Sequence, residues 1–258
     1  MAGTADNNSR KLFAQVDQLS TIFQSQPLGA AEDLDYALRI LSAVKTGRLG
    51  PVLRVYRPVE TMAFGQRDVR LSGFVEAQDV SRSAGYEPLV RKAGGRAAAY
   101  HPGCLVVDHL EPHDDAVAGS RDRFRFFGEL LARALRGVGV NAAMGEIPGE
   151  YCPGEFSVHG TPSSGPEVKL VGTAQRIVAG AWMFSSVIVV ENSAPIRNVL
   201  TDVYSALDLV WDTTTAGAAE DLVPGLCVED VRAAVLDAYA DYASLHERSW
   251  PWLTERVG

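Results

Sequence analysis

The sequence is poor in cysteine, in long apolar runs and in positive charge. Three cysteines occur, Cys104, Cys152 and Cys227, an odd number with no Cys-x-x-Cys spacing. A disulfide framework and a thiolate zinc site are therefore not expected, and no metal is assigned. No run approaches the ~18 apolar residues that a membrane span requires. The opening MAGTADNNSR is polar and lacks the apolar stretch of a secretory signal, so a soluble cytoplasmic protein is the expectation. Lys and Arg number 24 against 32 Asp and Glu, a formal net charge of -8, which disfavours non-specific binding of a long nucleic acid. No Gly-x-Gly-x-x-Gly follows a strand pattern and no Walker A pattern appears, which removes two common nucleotide-binding loops. There is no internal repeat and no low-complexity tract.

What is present suits one large domain. Of 258 residues, 47% are hydrophobic, enough to bury a core without staples. Residues 1–30 read as a loose arm, 31–192 as the core, and 193–258 as a helical part of the same domain or a small appendage. Leu34, Ala37, Leu38, Leu41 and Val44 share one face of a helix over 31–45. VLRVYRP at 52–58 alternates like a half-buried strand, and TMAFGQ follows as a short extended piece. A short helix is expected at 76–85. Residues 88–110 then read strand, turn, strand, turn, strand, with hairpin-like connections at Gly94-Gly95 and Pro102-Gly103. An amphipathic helix over 121–136 carries Phe124, Phe127, Leu131 and Leu135 on one side. A strand-rich stretch over 156–190 is broken by the polar GTPSSGPE, and helices follow at 195–208 and 230–242. Strands group with strands rather than alternating with helices, so the class is α+β, with helices expected on one side of a mixed or antiparallel sheet.

Three segments can carry chemistry. In VRKAGGRAAAYHPGCL, Arg91, Lys92 and Arg96 surround Gly94 and Gly95, and small residues from Ala97 onward leave room. This is either a thin backbone wall beside an anionic or polar ligand or a hairpin with a basic tip. His101 could enter such a site. In GEYCPGEFSVHG, Cys152 precedes the turn signal Pro153-Gly154 and sits at a loop-to-strand junction. Its thiol is either an inert small residue or a nucleophile, the latter needing a cation or base nearby, with Lys169, Arg91 and His101 as candidates. In VKLVGTAQRIVAG, Lys169 lies in an apolar strand, either facing inward with a partner or facing water from a sheet edge. Gly172, Thr173 and Ala174 again permit close approach. His109 and His113, beside Asp108, Glu111, Asp114 and Asp115, read as a solvated acidic loop rather than a metal site.

These segments, in this order, resemble the biotin/lipoate protein ligase and octanoyltransferase family. The likeness runs from Ala31 to Asn192 and includes LRVYRP and AFGQ. The family's arginine and glycine motif matches Arg91-Lys92, Gly94-Gly95-Arg96-Ala97 and Tyr100-His101. Its lysine motif matches Lys169-Leu170-Val171-Gly172-Thr173-Ala174. Cys152-Pro153-Gly154 looks like the octanoyl-[GcvH]:protein amidotransferase branch, although some ligase-like relatives carry it too. The resemblance implies a class II aminoacyl-tRNA synthetase/biotin synthetase-like core with a mainly antiparallel sheet. It implies transfer of an octanoyl or lipoyl group to the lysine of a lipoyl-domain protein through a Cys152 thioester. Lys169 would orient the acyl carbonyl, and Arg91, Gly94, Gly95, Arg96, Ala97, His101, Gly172, Thr173 and Ala174 would bind substrate. Acceptors would be glycine cleavage H protein and 2-oxoacid dehydrogenase E2 subunits. No cofactor is implied for an acyltransferase. An ATP-dependent lipoate ligase working through an acyl-adenylate, with ATP and magnesium, is the alternative, followed by a non-catalytic protein that binds a lipoyl domain or a small acid.

Overall fold

The computed structural model describes residues 16–258. Two sheets organise them. The larger has eight strands in the order β11-β1-β2-β6-β10-β9-β8-β7. These are β1 (Gln18–Gln24), β2 (Val52–Tyr56), β6 (Cys104–His113), β7 (Ala142–Met144), β8 (Val158–Gly160), β9 (Val168–Val178), β10 (Gly180–Val189) and β11 (Ser244–Glu247). From β2 to β7 every pairing is antiparallel, while β1 runs parallel to both β2 and β11. The smaller sheet is β4 (Glu87–Val90), β3 (Thr61–Phe64) and β5 (Ala98–Tyr100), in the order β4-β3-β5. Seven α-helices complete the described residues: α1 (Ala30–Lys45), α2 (Phe74–Ser83), α3 (Ser120–Gly137), α4 (Ser193–Ala206), α5 (Ala219–Leu222), α6 (Val228–Ala240) and α7 (Trp250–Val257). The α+β class and the mainly antiparallel sheet expected from the sequence are present.

Helices cover both faces of the large sheet, not one. On one face α3 and α6 pack against Leu53, Val55, Leu105, Val107, Phe184 and Ile188. On the other, Tyr36, Ala37, Ile40, Leu41 and Val44 of α1 meet Val52, Leu110, Ala181 and Met183. The two sets alternate along β2, β6 and β10, so each central strand buries both sides. For that reason β2 is buried along its whole length rather than half-exposed. Its Arg54 has no solvent exposure and is paired with Asp33 of α1 at 2.7 Å and Asp108 of β6 at 3.2 Å. Gln24 of β1 accepts from the same guanidinium at Nε. A buried guanidinium is tolerable only with this much hydrogen bonding.

Three other expectations need correction. Residues 18–24 form a strand of the large sheet instead of part of a loose arm, and 1–15 lie outside the described residues. Gly94-Gly95 does not turn a hairpin, because β3 lies between β4 and β5 and the loop crosses over it. Pro102-Gly103 carries the chain from the small sheet to the large one rather than closing a hairpin. The C-terminal segment is built into the rest of the molecule: Val231, Val235 and Tyr239 of α6 join the main core, and β11 pairs with β1.

Candidate active site

A cleft of about 490 Å³ opens on the α1 face of the large sheet. Its floor follows from strand register. Val187 of β10 lies between Gly172 of β9 and Val106 of β6, and one rung on Ser185 lies between Ala174 and Asp108. Gly172 has nothing within 4 Å of where a Cβ would point, so its missing side chain is open cleft. Leu34 and Leu38, on a half-buried stripe of α1, line it, as do Phe124 and Phe156. The size and lining suit an apolar chain with a few polar groups at defined places.

Cys152 stands at the cleft among the loops, with its backbone in the left-handed region at φ 43. Two donors point at its sulfur: the backbone N–H of Arg96 at 3.2 Å and Nη2 of Arg91 at 3.6 Å. Arg91 is itself held, donating to the Tyr100 hydroxyl at 2.9 Å and the Arg96 carbonyl at 2.8 Å. Gly95, at φ 107, lets the loop pass this close; a Cβ there would sit 2.3 Å from Arg91 Nη2 and 2.9 Å from the sulfur. Gly65 of the AFGQ segment is equally constrained, since its Cβ would lie 1.8 Å from the Gly95 carbonyl oxygen. The Arg96 guanidinium turns away to Asp68 at 3.1 Å, whose other oxygen accepts from Gly65 N–H at 2.8 Å.

Lys169 faces inward and is 1% exposed. Its ammonium donates to Glu150 Oε1 at 3.1 Å, to the Tyr151 carbonyl at 3.0 Å and to the Cys152 carbonyl at 2.7 Å. Three donors meet three acceptors, so the lysine holds the cysteine loop from beneath. Glu150 Oε1 also accepts from Gly154 N–H at 3.0 Å and Ser157 Oγ at 2.7 Å, which makes that carboxylate the hub of the loop. Nothing in the sequence pattern marked Glu150, whose partner lies nineteen positions on. Nor did it mark Tyr204 of α4, whose hydroxyl accepts from Cys152 N–H at 2.7 Å and donates to the Ala97 carbonyl at 3.1 Å.

Of the residues singled out from sequence, Arg91, Gly94, Gly95, Cys152, Lys169, Gly172, Thr173 and Ala174 line the cleft. Arg96 reaches it through its N–H, and Ala97 is buried behind it. His101 is not there. Its Nδ1 accepts from Gly103 N–H at 2.8 Å and its Nε2 faces the Asn192 carbonyl at 2.9 Å, so the ring pins the turn into β6. The stretch containing His109 is not a solvated loop, because β6 continues to His113. His109 and Glu111 have no exposure and lie 2.8 Å apart, with the Tyr242 hydroxyl donating to the same carboxylate oxygen at 2.6 Å. Asp108 faces the cleft side, where burial raises its pKa against the opposing pull of Arg54. Among the described residues one further set of potential metal ligands converges, Glu191, Cys227 and Glu229, apart from the cleft and with Arg57 paired to both glutamates.

The described residues thus form an α+β domain whose mainly antiparallel sheet carries a thiol and a buried lysine beside an apolar cleft. Residues 30–239 match the model of the lipoyl protein ligase A/B catalytic domain. The chain belongs to that family. It is 28% identical over 185 residues to an octanoyl-[GcvH]:protein N-octanoyltransferase of Geobacillus kaustophilus, covering 72% of this chain and 63% of that protein. A protein of the same name from an Exiguobacterium strain is 27% identical over 194 residues, covering 73% and 64%. The chain thus spans a little under two thirds of these relatives. Among solved structures, a lipoate-protein ligase A bound with ATP superposes with a TM-score of 0.71 at 19% identity, over 93% of this chain and 92% of that one. The Ta0514 protein of T. acidophilum with bound lipoic acid gives 0.70 at 19% identity, over the same shares. These two likenesses establish the fold.

Proposed function

We propose that this protein moves an octanoyl or lipoyl group onto the lysine of a lipoyl-domain protein, with Cys152 carrying the acyl group as a thioester. The observation that carries this reading is the placement of the Cys152 sulfur at an apolar cleft, faced by the Arg96 N–H and the Arg91 guanidinium. Negative charge on that sulfur meets two donors, and a nucleophile needs such surroundings. The relatives named as octanoyl-[GcvH]:protein N-octanoyltransferases support the same acyl group and a protein acceptor, with the H protein as the octanoyl carrier in that name.

The chemistry follows in two steps. The sulfur attacks the carbonyl carbon of an acyl thioester donor, and the tetrahedral adduct expels the donor thiolate, which takes up the proton. The acceptor lysine amine then attacks the Cys152 thioester, the carbon–sulfur bond breaks, and an amide and the free thiol result. The thioester donor already carries the activation, which passes to the Cys152 thioester and is used up in forming the amide, so ATP is not consumed. The acyl chain lies over Gly172 and Ala174, with Val187 and Leu38 beside it. Lys169 acts chiefly by fixing the Cys152 carbonyl and therefore the loop.

The test is to mix the protein, an octanoyl thioester donor and a lipoyl-domain acceptor such as H protein, without ATP, and weigh the acceptor by mass spectrometry. Octanoylation of the acceptor lysine is expected, and its loss in Cys152→Ala. Modification that requires ATP and survives Cys152→Ala supports the alternative, a ligase working through an acyl-adenylate.

A further inference from the structure

At φ 43, Cys152 occupies a region where a residue with a side chain stays only if its surroundings hold it. Both of its backbone polar groups are taken by side chains. Lys169 donates to its carbonyl at 2.7 Å, and its N–H donates to Tyr204 Oη at 2.7 Å. The Tyr204 hydroxyl in turn donates a hydrogen bond to the Ala97 carbonyl at 3.1 Å. Ala97 follows Arg96, the residue whose N–H faces the sulfur. One phenol thus bridges the residue that bears the thiol and the neighbour of the group that meets it.

The bridge is built into the fold. Tyr204 is 3% exposed and comes from α4, 52 positions from Cys152. Its ring lies 5.6 Å from that of Trp211, which in turn meets Tyr151 edge-on at 5.9 Å. Burial raises the pKa of its hydroxyl far above the usual phenol value, so it remains a donor at any working pH. Tyr204 does not line the cleft.

We propose that Tyr204 is a positioning residue for acyl transfer: its hydroxyl ties the cysteine loop to the glycine loop and holds the sulfur before Arg96 N–H and Arg91 without touching the acyl group. Removing the hydroxyl leaves the Cys152 N–H and the Ala97 carbonyl without a partner, and buried backbone groups avoid that state. Rotation of Cys152 out of the left-handed region relieves it and carries the sulfur away from both donors. The inference rests on the Cys152 reading for its role in turnover. Its geometry is testable without any acyl substrate.

The experiment compares Tyr204→Phe with wild type in melting temperature, in the rate of iodoacetamide alkylation mapped to Cys152, and in kcat and KM for octanoyl transfer. A displacement of about 1 Å in a reacting group costs up to ~100-fold, so kcat is expected to fall ~10- to 100-fold with KM within ~3-fold. Alkylation of Cys152 slows in parallel. A folded Tyr204→Phe protein with both rates unchanged overturns the proposal. Should the variant not fold, amide exchange of the wild type decides: a protected Cys152 N–H supports the tie, and exchange as fast as an open loop overturns it. If wild type itself transfers no acyl group, the acyltransferase reading falls, and alkylation still reports whether Tyr204 positions the thiol.

Discussion

Replacing Lys169 with alanine removes three hydrogen bonds and one charge from the interior at once. The side chain is 1% exposed, and its ammonium is shared among Glu150 and two backbone carbonyls. Breaking a buried pair from one side costs ~3–5 kcal/mol, because the surviving charge stays buried. Glu150 keeps the Gly154 N–H and the Ser157 hydroxyl, which places the cost of its exposure at the low end. The two stranded carbonyls return some of that saving, at ~1 kcal/mol each. A total of about 5 kcal/mol is expected, and at ~2–4 °C per kcal/mol for a protein of this size the melting temperature falls by roughly 10–20 °C. This departs from the expectation for a lone strand lysine, whose loss the fold would hardly register. The assay is urea denaturation of Lys169→Ala, Glu150→Gln and the double variant. Two coupled residues give a double variant less unstable than the sum of the singles, by at least ~1 kcal/mol. Additive losses, or a Lys169→Ala cost under ~1 kcal/mol, would refute the reasoning and put Lys169 in contact with solvent.

Three further outcomes follow from the same geometry. Gly95→Ala drives a methyl group into Arg91 and the Cys152 sulfur, so transfer should fall ~100-fold, read as kcat at a temperature where the variant is folded. Gly172→Val projects into open cleft rather than into protein, so the melting temperature should hold while the acyl-chain profile shifts toward chains shorter than octanoyl. Burial pushes the Cys104 thiol up to about 12 from an unfolded value of 9.0. Between those two values the unfolded chain has released this proton and the folded one has not, so stability should decline as pH rises above about 9. The urea midpoint measured from pH 8 to 11 checks this, and native alkylation at pH 8 should leave Cys104 unmodified.

The parts of the site that were legible in the sequence are those whose cause is local. Pro153-Gly154 announces a turn, while Gly94-Gly95 offers a close backbone approach as one of two readings and Lys169 in an apolar strand an inward charge as one of two. What the sequence did not show is set by distant pairing. Tyr204 reaches Cys152 across 52 residues, and no helical pattern in α4 distinguishes that tyrosine from one filling the core. Glu150 looks like any loop carboxylate until Lys169, Gly154 and Ser157 converge on it. The strand at 18–24 gains its order from parallel neighbours at 52–56 and 244–247, the second of them more than 200 positions away. His101 misled because the histidine follows a small-residue strand aimed at the site. The Gly103 N–H drew the ring into the turn instead.

The most direct test of acyl transfer through Cys152 is the intact mass of the purified protein after incubation with an octanoyl thioester donor, with and without ATP. One octanoyl adduct is expected in the absence of ATP, mapped to Cys152, released by hydroxylamine and absent from Cys152→Ala. An unmodified protein that nevertheless octanoylates a lipoyl domain only when ATP is added would contradict it and make Lys169 part of an adenylate-forming site.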